Sequence, residues 1–330
     1  MSTTTEALLR LRSVSVDYMV EGGSVRAVDQ VSLDVRPGEI VGLAGESGSG
    51  KSTLVLAITR LIPAWVARTS GTIEVEGEDV SALSPEALRA MRWKKIALVF
   101  QGAMNSLNPV TTVEHQILDT LLAHGERDPG RIRERARELM ALVEIDQASL
   151  KRYPHELSGG MRQRAVIAIA IALNPRILLL DEPTTALDVV VQRQILGKLV
   201  DLQRQLSFAI LFVTHDLSVL LELCSRIAVM YGGRLMEVSG AEALATAPLH
   251  PYTKGLLRSF PTLTGPRLRL TGIPGSPPAI AALPPGCPFH PRCPFAQERC
   301  RAVVPELRPW PQGDRLVACH RAEEVLQLGQ

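Results

Sequence analysis

The chain has 330 residues, 46% of them hydrophobic and 21% charged, and carries a net charge of +2. That composition excludes a disordered or fibrous chain and suits one large globular domain with an appendage, or two domains. No run reaches the roughly 18 consecutive apolar residues that a membrane helix needs, and charge balance alone points neither toward nor away from nucleic acid, whose footprint is a basic patch.

The first residues, with Glu6 among scattered threonines, lack the basic start and apolar core of a signal peptide. The expectation is a soluble, cytosolic protein that meets a membrane only through partners. Further along, apolar runs at Ile40–Ala44, Ile96–Phe100, Ile177–Leu180 and Ala209–Val213 read as buried strands, and they alternate with helical patterns. Such alternation predicts an α/β core with a largely parallel sheet. Each run is followed at once by a residue with chemistry to offer: Gly45, Gln101, Asp181, and Thr214-His215. Ligands of open parallel sheets sit beyond the carboxyl ends of the strands.

Residues 102–173 intervene between two of these strands and are mostly helical in pattern, which predicts a helical subdomain. Within it the Arg-rich run Arg131–Arg137 shares a segment with Ile132, Ala136, Leu139, Met140 and Val143 at helical spacing, an amphipathic helix with a solvated charged face. Composition changes near residue 246. Fifteen of the 23 prolines lie between Pro248 and Pro311, and four of the five cysteines lie beyond Gly286. The predicted division is a domain over 1–245 and a small, loop-rich Cys/Pro module over 246–330.

Gly45-Glu46-Ser47-Gly48-Ser49-Gly50-Lys51-Ser52 matches G-x-x-x-x-G-K-[ST] in full, and Thr53 follows it. The glycines let backbone N–H groups converge on phosphate oxygens, Lys51 places a charge against the outer phosphates, and Ser52 offers a hydroxyl to Mg²⁺. The helix that follows points its positive end at the same anion. The loop is one that holds a nucleotide's phosphates, and read together with Leu157-Ser158-Gly159-Gly160-Met161 it makes ATP the expected ligand. Ile177–Leu180 runs into Asp181-Glu182, two carboxylates that an extended strand would point to opposite sides. Asp181 is then the Mg²⁺ ligand and Glu182 the group that polarises the attacking water. Gln101 can reach the metal or that water with its amide, and His215 can bond the γ-phosphate or orient the water.

Leu157-Ser158-Gly159-Gly160-Met161 is a helix N-cap signal ahead of an apolar run to Leu173. It presents free N–H groups and a positive helix end, an anion site with no anion supplied locally. Together with the phosphate loop this resembles the ATPase subunits of ABC transporters. The resemblance covers nearly the whole chain and implies a P-loop ABC cassette: a mostly parallel core sheet, an antiparallel β part and a helical subdomain. It further implies that Ser158, Gly159, Gly160 and Met161 face the γ-phosphate held by an opposite subunit. Tyr18 matches the aromatic that stacks on adenine, Ala186-Leu187-Asp188 the loop along the dimer seam, and Gln101 the link to a permease docked beside Gly102–Pro109.

Three features resemble the dipeptide, oligopeptide and nickel importer group: Tyr153–Arg164 with Met161 ending the signature, Ser106-Leu107-Asn108-Pro109, and the tail sequences His250-Pro251-Tyr252-Thr253, Ile273–Pro278 and Gly286–Phe289. Gly102-Ala103 depart from the Asp-Pro often found after the glutamine. The resemblance implies peptide import, with nickel or oligosaccharide cargo, or a soluble non-transport ATPase, as alternatives. It also implies a second, homologous ATPase as partner (a heterodimer, given Met161), two transmembrane permeases, an extracytoplasmic binding protein, no nucleic acid, and a peripheral place at the cytoplasmic face of the inner membrane. Cys287, Cys293, Cys300 and Cys319 are spaced C-x₅-C-x₆-C-x₁₈-C, without the paired C-x₂₋₄-C of zinc ribbons. In a reducing compartment thiolate coordination is the sharper reading against unliganded thiols, and the family tail carries a [4Fe–4S] cluster in some members. Cys224, beside Leu217–Leu223, reads as a small buried hydrophobe.

Overall fold

The computed structural model describes residues 6–185, 187–259 and 272–327. The chain divides into two compact units, one of Met1–Arg10, Asp34–Glu39 and Glu74–Leu211, the other of Leu11–Leu33, Ile40–Ile73 and Phe212–Gln330. In chain order the elements begin with β1 (Leu9–Val20), β2 (Gly23–Val35), β3 (Ile40–Ala44), α1 (Lys51–Ile58), β4 (Ala67–Val75), β5 (Glu78–Asp79), α2 (Pro85–Met91) and β6 (Ile96–Val99). There follow α3 (Val113–Ala123), α4 (Pro129–Leu142), α5 (Gly159–Ala170), β7 (Ile177–Asp181), α6 (Val189–Leu206), β8 (Ala209–Thr214) and α7 (Leu217–Leu223). The remainder comprises β9 (Arg226–Tyr231), β10 (Arg234–Gly240), α8 (Ala241–Thr246), α9 (Pro251–Ser259), α10 (Glu298–Ala302), β11 (Arg308–Pro309), β12 (Leu316–Val317) and α11 (Ala322–Gln327). Among the described residues no helix is long and apolar enough to cross a membrane.

In the first unit β6 and β7 pair in parallel, from Ile96↔Ile177 to Val99↔Leu180. Both are continuous apolar runs, as strands covered on two faces require, and Ile177–Leu180 are fully buried. The strand stops at Val99, one residue before the expected end, and Phe100 is exposed. Between β6 and β7 stand α3, α4 and α5. Asp128 caps α4 by accepting from the N–H groups of Gly130 and Arg131, with Pro129 at the first helical position. The face formed by Ile132, Ala136, Leu139 and Met140 is buried. Helix α5 is buried nearly all round (Ala165, Val166, Ile167, Ala168, Ala170). It ends at Ala170 instead of Leu173, because the chain turns out through Asn174 in a left-handed conformation, φ 52°.

In the second unit β3 and β9 pair in parallel from Val41↔Arg226 to Ala44↔Val229. Antiparallel partners then extend the sheet in the order β11-β12-β10-β9-β3, with a bulge between Leu235 and Glu237. The same unit holds most of the neighbouring strands β2, β1 and β4. The Pro-rich tail thus contributes two short strands among its loops. Cys224 is 6% exposed and burial pushes its thiol up, as a small core side chain requires.

A buried ion pair fixes the tail to β10. Glu237 is fully buried and accepts from the N–H groups of Leu249 (3.0 Å) and His250 (2.9 Å) and from Arg315 Nη2 (3.1 Å). Burial pushes the Glu237 carboxyl up, and these hydrogen bonds and the guanidinium oppose the shift. Arg315→Met, which leaves that carboxylate uncompensated, is expected to destabilise the fold by about 3–5 kcal/mol in denaturant melts. Adding Glu237→Gln should recover much of the loss if the stranded charge is the cause.

Candidate active site

The phosphate loop leaves β3 and enters α1 within the second unit. Gly45, Gly48 and Gly50 all have positive φ (154°, 78° and 100°). Two of them also have no room for a side chain. A Cβ on Gly45 would stand 2.2 Å from the Met230 carbonyl oxygen, and one on Gly50 would stand 2.4 Å from that of Ala27. The loop is therefore folded tightly over neighbouring backbone, which only glycine permits. Lys51 is 5% exposed, and its ammonium donates to the carbonyls of Gly45 (2.8 Å) and Glu46 (2.9 Å) and to Ser49 Oγ (3.3 Å). The charge is thus folded back into the loop instead of extending to solvent. Helix α1 starts at Lys51 with no acidic residue in its first turn, so nothing on the helix offsets its positive end.

Ser52 and Thr53 are half-buried on that first turn. Thr53 Oγ1 lies 3.3 Å from the Tyr18 hydroxyl, which ties the half-buried Tyr18 of β1 to the helix that carries Lys51. His215 is exposed, one residue past the end of β8. Asp216 beside it caps α7 through the N–H groups of Ser218 and Val219.

The first unit holds the carboxylates. Asp181 is the last residue of β7 and is 5% exposed. Glu182 does not continue the strand: its backbone is left-handed, φ 46°. The expected opposition of the two side chains across an extended strand is thus corrected. They are separated by a turn of the backbone, a strained conformation for a non-glycine residue of the kind that concentrates at functional sites. Glu182 Oε2 accepts from Gln101 Nε2 (3.0 Å) and Thr185 Oγ1 (3.1 Å), so the strand ends of β6 and β7 do bring Gln101 and Glu182 together. Gln101 reaches across because Gly102 follows it at φ 67° and turns the chain into a short 3₁₀ helix. Sequence reasoning missed Thr185, which follows the carboxylates without any strand-end signal of its own.

Ser158 caps α5, its hydroxyl accepting from the Met161 N–H at 3.3 Å. Gly159 and Gly160 form the first turn and open onto a groove of about 780 Å³ that Ser158, Leu187, Asp188 and Lys198 also line. Asp188 caps α6 through the N–H groups of Val190 and Val191. The two glycines differ. A Cβ on Gly159 would make ordinary contacts, 3.5 Å to Leu187 Cδ2, whereas one on Gly160 would stand 2.7 Å from Val191 Cγ1. Met161 is half-buried. Ala186 lies outside the described residues.

In the tail, Cys287, Cys293, Cys300 and Cys319 line one small cavity of about 20 Å³, together with Phe289 and Phe295. None of the four is in a disulfide. Burial pushes Cys287 up to about 11 and Cys319 up to about 12, and the neighbouring thiols add to both shifts. The loops that carry them are cross-tied, Cys287 N–H donating to the Cys300 carbonyl at 2.8 Å. Gly286 is obligatory there, since φ is 71° and a Cβ would stand 2.5 Å from the Cys300 carbonyl oxygen. Among the described residues, no group of three or more His, Cys, Asp or Glu side chains is set to hold a single metal ion.

Comparison with known proteins agrees with this geometry. Residues 28–185 match the ABC transporter family, and residues 236–300 match the oligopeptide/dipeptide transporter C-terminal region. The chain is 41% identical to a dipeptide transport ATP-binding protein of Caldanaerobacter subterraneus, over 96% of this chain and 98% of that one. It is 43% identical to the dipeptide transport ATP-binding protein of Escherichia coli, over 95% and 96% of the two chains. Among solved structures it resembles the ATP-binding cassette MJ0796, a dimer in a post-hydrolysis state with ADP and Pi, at a TM-score of 0.63 and 30% identity over 71% of this chain and 98% of that chain.

Proposed function

Because the chain belongs to the ATP-binding subunits of ABC transporters, in the group that carries the oligopeptide/dipeptide C-terminal region, we propose that it hydrolyses ATP to power import of di- or oligopeptides. The observation that carries this reading is the pairing of two unlike anion sites in one chain. One is a glycine-built loop with a buried Lys51; the other is the capped helix end at Ser158, open onto a groove. Such an end, away from its own phosphate loop in sequence, suits a nucleotide held by another polypeptide.

The roles follow from the chemistry of each group. The N–H groups of Ser49–Thr53 and the Lys51 ammonium bind the phosphates, and Tyr18 meets the adenine. The hydroxyl of Ser52, the carboxylate of Asp181 and the amide of Gln101 are hard oxygen donors suited to Mg²⁺, which offsets phosphate charge when bound. Glu182, oriented by Gln101 and Thr185, accepts the proton of the attacking water, and His215 bonds the γ-phosphate. Ser158, Gly159, Gly160, Met161 and Asp188 complete the site of the neighbouring ATPase. That neighbour is a second, homologous subunit. ATP closes the pair, closure drives two permeases fed by an extracytoplasmic binding protein, and hydrolysis reopens it at the cytoplasmic face of the inner membrane. Residues 1–245 form the cassette, and 246–330 the C-terminal domain.

The four tail cysteines suit a [4Fe–4S] cluster. A cluster takes one thiolate on each of four irons, and what supports this reading is that the four cysteines line one cavity beside Phe289 and Phe295. Its contribution is structural, a covalent tie between loops. Anaerobically purified protein is expected to be brown and to contain iron and sulfide, and Cys293→Ser to lose both. Colourless, iron-free wild type would remove the cluster from the account.

The import reading is tested by deleting the gene in its host and restoring it on a plasmid. Restored uptake of labelled di- and tripeptides supports peptide cargo. Restored uptake of nickel or an oligosaccharide instead assigns the same machinery to that cargo.

A further inference from the structure

Glu46, the second residue of the phosphate loop, is held twice by the C-terminal part of the chain. Its backbone N–H donates to the Tyr252 hydroxyl at 2.8 Å. Its carboxylate accepts both arms of the Arg292 guanidinium, Nη1 to Oε2 at 2.6 Å and Nη2 to Oε1 at 3.0 Å. Arg292 has no freedom to leave. Its Nε donates to the Pro274 carbonyl (2.9 Å), Nη2 also to the Ile273 carbonyl (3.4 Å), and Nη1 also to the Tyr231 hydroxyl (3.3 Å). All five N–H groups of a guanidinium are thereby used. The side chain is 6% exposed, with its cation about 6 Å from the rings of Tyr231 and Phe289. Tyr252 is fully buried and packs edge-on against Tyr231, ring centroids 4.6 Å apart.

These contacts continue into the loop. The Glu46 carbonyl is one of the acceptors that hold the Lys51 ammonium, at 2.9 Å. A chain of direct contacts therefore runs from Arg292 through Glu46 to Lys51. Its origin lies among the cysteines: Arg292 precedes Cys293, and Phe289 follows Cys287 by two residues. A loop so held loses little conformational entropy when a ligand arrives.

We propose that Arg292 and Tyr252 are positioning residues for ATP, which makes the cysteine-bearing tail a working part of the nucleotide site. The proposal rests on the ATPase reading. It implies that nucleotide affinity depends on the integrity of the Cys287–Cys293 loop, and by linkage that bound nucleotide protects that loop. A surface anchor for the tail would not need to grip the phosphate loop, nor to do so through both its backbone and its side chain.

The test is titration of the purified full chain with a fluorescent ATP analogue and Mg²⁺, alongside ATPase kinetics of the assembled transporter. Arg292→Ala is expected to weaken nucleotide binding about tenfold and to raise KM for ATP, with kcat within about twofold of wild type. Arg292→Lys, which keeps the charge and loses the fork, should recover part of the affinity. Glu46→Gln should weaken binding comparably, and combining it with Arg292→Ala should add little, since both break one link. If Arg292→Ala fails to fold, Glu46→Gln tests the same link from the loop side. Wild-type affinity in both Glu46→Gln and Arg292→Ala, or in Glu46→Gln and Tyr252→Phe, would overturn the proposal while leaving the ATPase reading intact. A wild type that binds no nucleotide would overturn that reading and this inference with it.

Discussion

Glu182→Gln keeps ATP binding and lowers turnover by about 10²–10⁴-fold, the range associated with losing a positioned general base. The amide has the size and shape of the carboxylate, so it can still face Gln101 Nε2 and Thr185 Oγ1, which now hold the Glu182 carboxylate at 3.0 and 3.1 Å. What it cannot do is take a proton from water. Gln meets the same steric limits as Glu at the φ of 46° that this position has, so the substitution is expected to remove only the base. The measurement pairs nucleotide binding with phosphate release in the assembled transporter. Tight binding with stalled release is the expected result, and unchanged release would take Glu182 out of the reaction.

Gly159→Asp is expected to fold normally, to bind ATP at its own phosphate loop, and to cut turnover by about 10²–10³-fold, the loss typical of removing a donor aimed at developing negative charge. Space permits the substitution, because a Cβ at Gly159 meets nothing closer than 3.5 Å. The damage is electrostatic. A carboxylate would stand at the positive end of α5, where the account places the neighbour's γ-phosphate. Gly160→Ala makes the contrast, since its Cβ would press on Val191 Cγ1 at 2.7 Å and perturb the packing between α5 and α6. Loss of turnover in Gly159→Asp with an unchanged melting temperature identifies the helix end as part of a nucleotide site. Full activity would leave it a capped helix and nothing more.

Local signals in the sequence were legible where the physics is local. The phosphate loop, the capping serine of α5 and the helix Pro129–Leu142 each depend on residues within a few positions of one another, and each stands where its pattern indicates. The four apolar runs gave β3, β6, β7 and β8 with ends right to within one residue, Phe100 lying outside β6 because hydrophobicity does not report exposure at a strand end; β9, which pairs in parallel with β3, was not among them. Three things lay beyond such reading. The left-handed backbone at Glu182 has no signature, since Glu is not a residue that favours it. The pair Glu46–Arg292 joins positions 246 residues apart, and nothing near either residue announces the other. Strands β11 and β12, two residues each, are too short to carry a period.

The most direct measurement follows ATP hydrolysis per subunit as a function of association, with sedimentation run on the same samples. The account predicts negligible turnover for the isolated monomer, activity that appears only when this chain pairs with a second ATPase, and loss of that activity in Ser158→Arg. Full-rate hydrolysis by a strictly monomeric chain, indifferent to Ser158→Arg, would contradict it.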